Sequence, residues 1–387
     1  MLSDRFAHPA PPNAWSTTRA ELVERGVALT DLTDSNPTRH GLFDPALLEI
    51  LARATRDAVR YDPDPRGPLP ARETLSARYG GSPDEYWLTT STSQAYAWLF
   101  TLLADPGDEV AIPAPGYPLI EPLAGLTGLG VARYRLHYLH PYGWSIDRDD
   151  VAAAAARARM RAIIVVHPGN PTGSYVSADD HAALIDTCAR GGIPLVSDEV
   201  FRPFTVDLPS GSPPSLAGAP GIVTITLDGL SKTLCAPGLK LAWIHLTGPH
   251  SATAPLAAAL DEIADAFLPV AAPTAAALPA LLEAADGIIA RTRERLIANR
   301  SALETIFPSP LRIRRCDGGW TALLDLPATT PDPTITLLEE HHLSIHPGWF
   351  YDLPTTNTLA LSLLPEEDTF RESCERLRTA LTPIIHL

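Results

Sequence analysis

The sequence predicts an α/β fold, a mostly parallel seven-stranded sheet flanked by helices, with a smaller α+β domain. Three observations point there. Seven short apolar runs recur between about residues 43 and 265, most of them separated by stretches of helical periodicity, the pattern of strands and helices that builds a parallel sheet. Past residue 270 the alternation stops and long helical stretches surround one sheet-like segment. The 387 residues also exceed what one small core fills. The expected division is an N-terminal segment of the small domain (1–42), a large domain (43–265) and a small C-terminal domain (266–387).

Taken in order, the strands are "YWLTTS", "DEVAIPA", "ARYRLHYL", "AIIVVHP", "IPLVSDEV", "IVTITLDG" and "LKLAWIHLT", short and rich in β-branched and aromatic residues. "SQAYAWLFTLLAD" reads as a helix after the first strand. "SADDHAALIDTCARGG" reads as another, with Ser177 as its N-cap and glycine at its end. A helical stretch from about Thr274 to Phe307 is expected to be bent or broken. "LRIRRCDGGWTALLDL" follows, and a last helix starts near Glu366.

Composition excludes several classes. Hydrophobic content of 45% with 19% charge is that of a globular protein, and 39 prolines with 25 glycines stay below the disordered range. Net charge is −15 and no Lys/Arg-rich run occurs, so nucleic acid is not an expected partner. Four cysteines lie far apart with no metal-ligand spacing, which predicts free thiols in a reducing cytoplasm. His341–His342 alone is no metal motif, so no metal is expected. "MLSDRFAHPAPPNAW" lacks the basic and apolar regions of a secretory leader, and no apolar run reaches the length of a bilayer span, so no membrane association is expected.

Ligands of such sheets gather at the carboxyl ends of strands. "HPGNPTG" (His167–Gly173), "SDEVF" (Ser197–Phe201) and "LSK" (Leu230–Lys232) each follow a strand, offering Asn170, Asp198 and Lys232 to one crevice. Singly they read as a turn, a helix cap and a solvated lysine. Together, their order and spacing resemble fold-type I pyridoxal phosphate enzymes of the class I/II aminotransferase family, over nearly the whole chain.

The resemblance implies pyridoxal 5'-phosphate as cofactor and assigns positions one by one. Lys232 matches the Schiff-base lysine, which must be an amine. Asp198 matches the carboxylate paired with the pyridinium nitrogen, Asn170 the amide bonded to the ring's phenolic oxygen, and Tyr117 the aromatic stacked on the ring. Thr92 and Ser93, in "TTSTSQAYAWLF", match the helix N-terminus that holds the phosphate. Ser231 belongs to the same cofactor-binding set, and Lys240 stands at the usual phosphate-binding arginine, with charge but no bidentate fork. Tyr61, in "YDPDPRGPLPAR", matches a tyrosine reaching the neighbour's phosphate, which implies a homodimer with shared sites.

Three positions depart from that pattern. Phe201 replaces a tyrosine that donates to the phenolic oxygen, and Gly229 replaces a common phosphate-binding serine. Ala360 stands where an arginine usually clamps the substrate carboxylate. Arg39 is the expected substitute, Asn36 is a further candidate substrate-binding residue, and Trp15, Trp320 and Trp349 are candidate pocket walls. The expected function is transamination of an amino acid. The alternative is elimination, replacement or carbon–carbon bond formation, for example on S-adenosylmethionine, in secondary metabolism. A regulator that kept only the fold is expected to carry an added DNA-binding domain, for which this chain shows no room.

Overall fold

The computed structural model describes residues 11–58, 61, 63–309, 311–355 and 357–385. Residues 1–10, read above for a leader, and Asp62, in the segment around Tyr61, lie outside them.

All seven expected strands form, and their sheet gains an eighth. In chain order after the short β1 (Thr30–Asp31) come β2 (Tyr86–Thr89), β3 (Glu109–Ala114), β4 (Gly130–Leu139), β5 (Gly143–Ile146), β6 (Met160–Val166), β7 (Leu195–Asp198), β8 (Thr224–Gly229) and β9 (Ala242–Thr247). The spatial order is β2-β9-β8-β7-β6-β3-β4-β5. Neighbours from β8 through β4 run parallel, whereas β9 is antiparallel to both β2 and β8. The addition is β5, which folds back antiparallel on β4 at the edge. "GWSI" is too short to show a period, which is why the pattern missed it.

Strands β6, β7 and β8 are almost wholly buried, as central strands of a sheet covered by helices on both faces must be; only β6 carries an unbroken apolar run, residues 162–166. The helix Ala178–Gly191 starts where Ser177 Oγ accepts from Asp180 N–H at 3.1 Å and ends at Gly192 in the left-handed region. The predicted break is real: Ala272–Glu283 and Ala285–Ile306 meet at 65°. Leu278, Leu281, Ile288, Leu296 and Leu303 on this pair are buried in the main core. Among the described residues no single helix is long and apolar enough to cross a membrane.

The small antiparallel sheet has the order β10-β11-β14-β13, from β10 (Arg312–Ile313), β11 (Thr321–Asp325), β13 (His346–Pro347) and β14 (Thr358–Ser362). Strand β12 (Leu343–Ser344) pairs instead with β1, so the N-terminal segment is hydrogen-bonded to the C-terminal part of the chain. The last helix, Glu367–Leu381, begins one residue past the expected start.

Candidate active site

Register decides where the site forms. Val166 lies opposite Asp198, and Asp198 opposite Leu227, so β6, β7 and β8 end side by side. Asn170 follows the first end by four residues, Asp198 is the second, and Lys232 sits on the single-turn helix Leu230–Thr233 after the third. Asn170, Lys232, Tyr117 and Phe201 line one cavity of about 550 Å³.

A second row brings in the helix N-terminus. Thr89 and Gly229 both pair with Ala242, so the turn before the helix Thr92–Leu103, the start of the Lys232 helix with Ser231, and Lys240 converge at one sheet end. Ser91, not Thr92, is the cap: its Oγ accepts from Gln94 N–H at 3.1 Å. Thr92 and Ser93 are therefore the first two helical residues. Lys240 is exposed and takes a left-handed backbone conformation at φ 52°.

The electrostatics suit a buried cationic heterocycle and a reactive amine. Asp198 accepts from Tyr96 O–H at 3.1 Å and Val200 N–H at 3.3 Å, yet burial pushes its carboxyl up to about 6. Burial also pushes the Lys232 ammonium down, while Asp198 pulls it the other way. Its Nζ lies 5.0 Å from the Trp320 ring and 5.4 Å from the Phe201 ring, and the rings pack edge to face at 5.5 Å. Behind them, Asp228 Oδ1 accepts from Gly229 N–H at 2.6 Å and Thr233 O–H at 3.3 Å. Its other oxygen is buried without a partner among the described residues, and burial pushes this carboxyl up to about 7.

The comparisons with known proteins fit this geometry. Residues 35–377 match the family Aminotransferase class I and II. The chain belongs to that family. An alanine aminotransferase of Mycobacterium tuberculosis is 27% identical over 322 residues, covering 80% of this chain and 70% of the relative. An S-alkyl-thiohydroximate lyase of Arabidopsis thaliana is 31% identical over 229 residues, 57% of this chain and 48% of the lyase. The alanine aminotransferase from Pyrococcus furiosus superposes with a TM-score of 0.87 at 21% identity, covering 99% of this chain and 100% of that one. This aminotransferase-family chain thus has the fold-type I architecture and is a pyridoxal-phosphate-dependent transferase of transaminating type. Its residues fit the cofactor: among the described residues the buried Asp198 carboxylate has no salt-bridge partner, and burial disfavours the ammonium form of Lys232.

The departures acquire physical reasons. A Cβ on Gly229 would lie 2.8 Å from Ala242 Cβ and 3.2 Å from Leu241 O, so the close approach of β9 excludes the serine. Ala360 is buried beside Leu323, Leu353, Trp144 and Tyr351. The expected substrate-binding residues Arg39, Asn36 and Trp15 do not line the cavity. Arg39 is 70% exposed, pairs with Asp34 at 3.2 Å and lines a separate surface cleft with Glu366 and Arg376. Asn36 Oδ1 accepts from Thr38 N–H at 3.1 Å as a cap, and the residue lining the cavity is its neighbour Ser35. Trp15 is buried behind the wall, against His346 and Phe350. Trp320 does line the cavity, whereas Trp349 donates to Asp332 Oδ2 at 2.8 Å.

Sequence reasoning missed Tyr96, His346, Phe350 and Tyr351. Tyr96 had a usable signal, one helical turn past Thr92 on the same face. The other three reach the cavity only through the β13–β14 pairing and the turn between them, which no local pattern announces. Tyr61 is 65% exposed on the single chain. Among the described residues no group of three metal-binding side chains occurs, and all four cysteines are free and buried.

Proposed function

We propose that the chain transfers an amino group between an amino acid and a keto acid, with Lys232 as the residue that holds the cofactor and moves the proton. The observation that carries this reading is that Asn170, Asp198 and Lys232 lie at three adjacent strand ends, with Asn170 and Lys232 lining one cavity. When bound, pyridoxal phosphate supplies an aldehyde for the amino group and a ring that accepts the electron pair left at the substrate's α-carbon. Lys232 Nζ, whose ammonium form burial disfavours, would hold that aldehyde between turnovers and, when released from it, would take the α-proton. Asp198 would keep a proton on the ring nitrogen, with Tyr96 O–H, which donates to it, orienting the carboxylate.

Tyr117 would cover a ring face and Asn170 would bond the ring oxygen, while Phe201 would add packing but no donor. Backbone N–H groups of Thr92 and Ser93, with Ser231 and Lys240, would receive the phosphate. Tyr61 reaches the site of a second copy, so the working unit is a homodimer, in the cytoplasm. The pairing of β1 with β12 supports a division into 1–42 and 266–387 as one domain and 43–265 as the other. The similarity to the lyase favours one second reading, in which the same proton removal leads to elimination.

Two measurements decide. Lys232→Ala is expected to abolish the visible absorption band of the cofactor-loaded protein, and a variant that keeps the band removes Lys232 as anchor. Stoichiometric keto acid release from an added L-amino acid, with the cofactor recovered in its amine form, is the expected outcome. Ammonia with unchanged cofactor would establish elimination instead.

A further inference from the structure

We propose that the amino donor presents an uncharged, ring-sized group to the wall formed by Trp320, His346, Phe350 and Tyr351, and that the cavity forms no ionic pair with a substrate carboxylate. The inference rests on the reading of the Lys232 cavity as the substrate site. Among the described residues lining that cavity, Lys232 is the only lysine or arginine.

The strands behind the wall explain the missing charge. Register places Ala360 between Leu323 of β11 and His346 of β13, so the strip facing the cavity side carries an aliphatic, a methyl and an imidazole. His346 does not make up for an arginine. Its ring lies 5.4 Å from Trp15 and 5.0 Å from Phe350, and its Nδ1 is 3.2 Å from Tyr351 Oη. Burial pushes this imidazole down to about 4. The charged groups that face it oppose each other: Asp31 favours its protonation, Arg19 disfavours it, and these two are paired at 2.8 Å.

Nearby arginines are engaged elsewhere. Arg314 donates to both Asp325 oxygens at 2.9 Å and stacks on Tyr138 and Trp144. Arg39 stays on the surface with Asp34. A carboxylate set against this wall would lose water and gain no opposite charge, which is unfavourable. An aromatic or bulky aliphatic group loses water favourably there and meets ring edges and faces.

The test uses the full chain loaded with pyridoxal phosphate and four ligands without an amine, so that binding is read apart from turnover. Calorimetry compares 3-phenylpropionamide, 3-phenylpropionate, propionamide and succinate. The two phenyl ligands are expected to bind within about threefold of each other, and phenylpropionamide at least about tenfold more tightly than propionamide. Succinate is expected to bind most weakly. Phe350→Ala is expected to remove about fivefold of the ring preference without changing propionamide binding.

Phenylpropionate binding more than about tenfold tighter than its amide would reveal a charge-assisted partner and overturn the proposal. So would succinate matching phenylpropionamide, no binding by any of the four, or a folded Phe350→Ala variant with its ring preference intact. If that variant does not fold, the wild-type series decides alone. Failure of the Lys232 reading shows separately, as absence of the lysine-dependent cofactor band, whereas a loaded protein with reversed affinities overturns only this inference.

Discussion

Asp198 carries more of the site than its few contacts suggest. It is wholly enclosed, and each of its two hydrogen bonds favours the charged form against burial. Tyr96→Phe removes one of them at little cost in volume. The carboxyl should then move further up, leaving less carboxylate near neutral pH to pair with a cationic ring nitrogen. A loss of about 1 kcal/mol, or roughly fivefold in cofactor affinity, is expected, with the deficit shrinking as pH rises. Absorbance titration of the apoprotein with pyridoxal phosphate at several pH values checks it. A deficit independent of pH would mean that Tyr96 acts only by packing.

At the scale of elements, the close contact of β8 with β9 sets where Lys232 begins its turn. Gly229→Ser would force a side chain into Ala242, its register partner, and overpacking of this kind destabilises by about 1–3 kcal/mol. The expected result is a lower thermal midpoint together with weaker cofactor binding. Unchanged stability would show that β9 yields easily. The same contact shows what the sequence discloses. Seven strands, the capped helix at Ser177 and the strand-end triplet were all readable, because apolar runs and terminal polar residues are local signals. The edge strand "GWSI" was not, being too short for a period. The wall around His346 was not either, since Ala360 and His346 meet only through antiparallel pairing. The resemblance sets the segment around Arg39 at the substrate entrance, whereas the structure pairs Arg39 with Asp34 at the surface.

Across the whole molecule, buried titrating groups act in opposite directions. Burial raises the Asp198 carboxyl from 3.8 to about 6 and the Asp228 carboxyl to about 7. Between these limits the folded state binds more protons than the unfolded one, so this pair lowers stability as pH rises. Burial lowers His167 and His346 from 6.5 to about 4. There the unfolded state binds more protons, so these two raise stability over nearly the same interval. Taken by themselves, these opposed pairs largely offset one another from pH 4 to 6.5, and a variant separates the Asp198 contribution. Asp198→Asn removes one falling contribution, so the stability difference between variant and wild type should grow in the variant's favour as pH rises from 4 to 6.5. The displacement of Asp198 corresponds to on the order of 3 kcal/mol over that interval. Loading wild type with pyridoxal phosphate should produce the same tilt, because a protonated ring nitrogen beside Asp198 restores its charged form. Thermal melts of apo wild type, loaded wild type and apo Asp198→Asn across this range are the measurement. Parallel curves would show that Asp198 titrates alike in the folded and unfolded chains, and would remove it as the partner of a cationic ring.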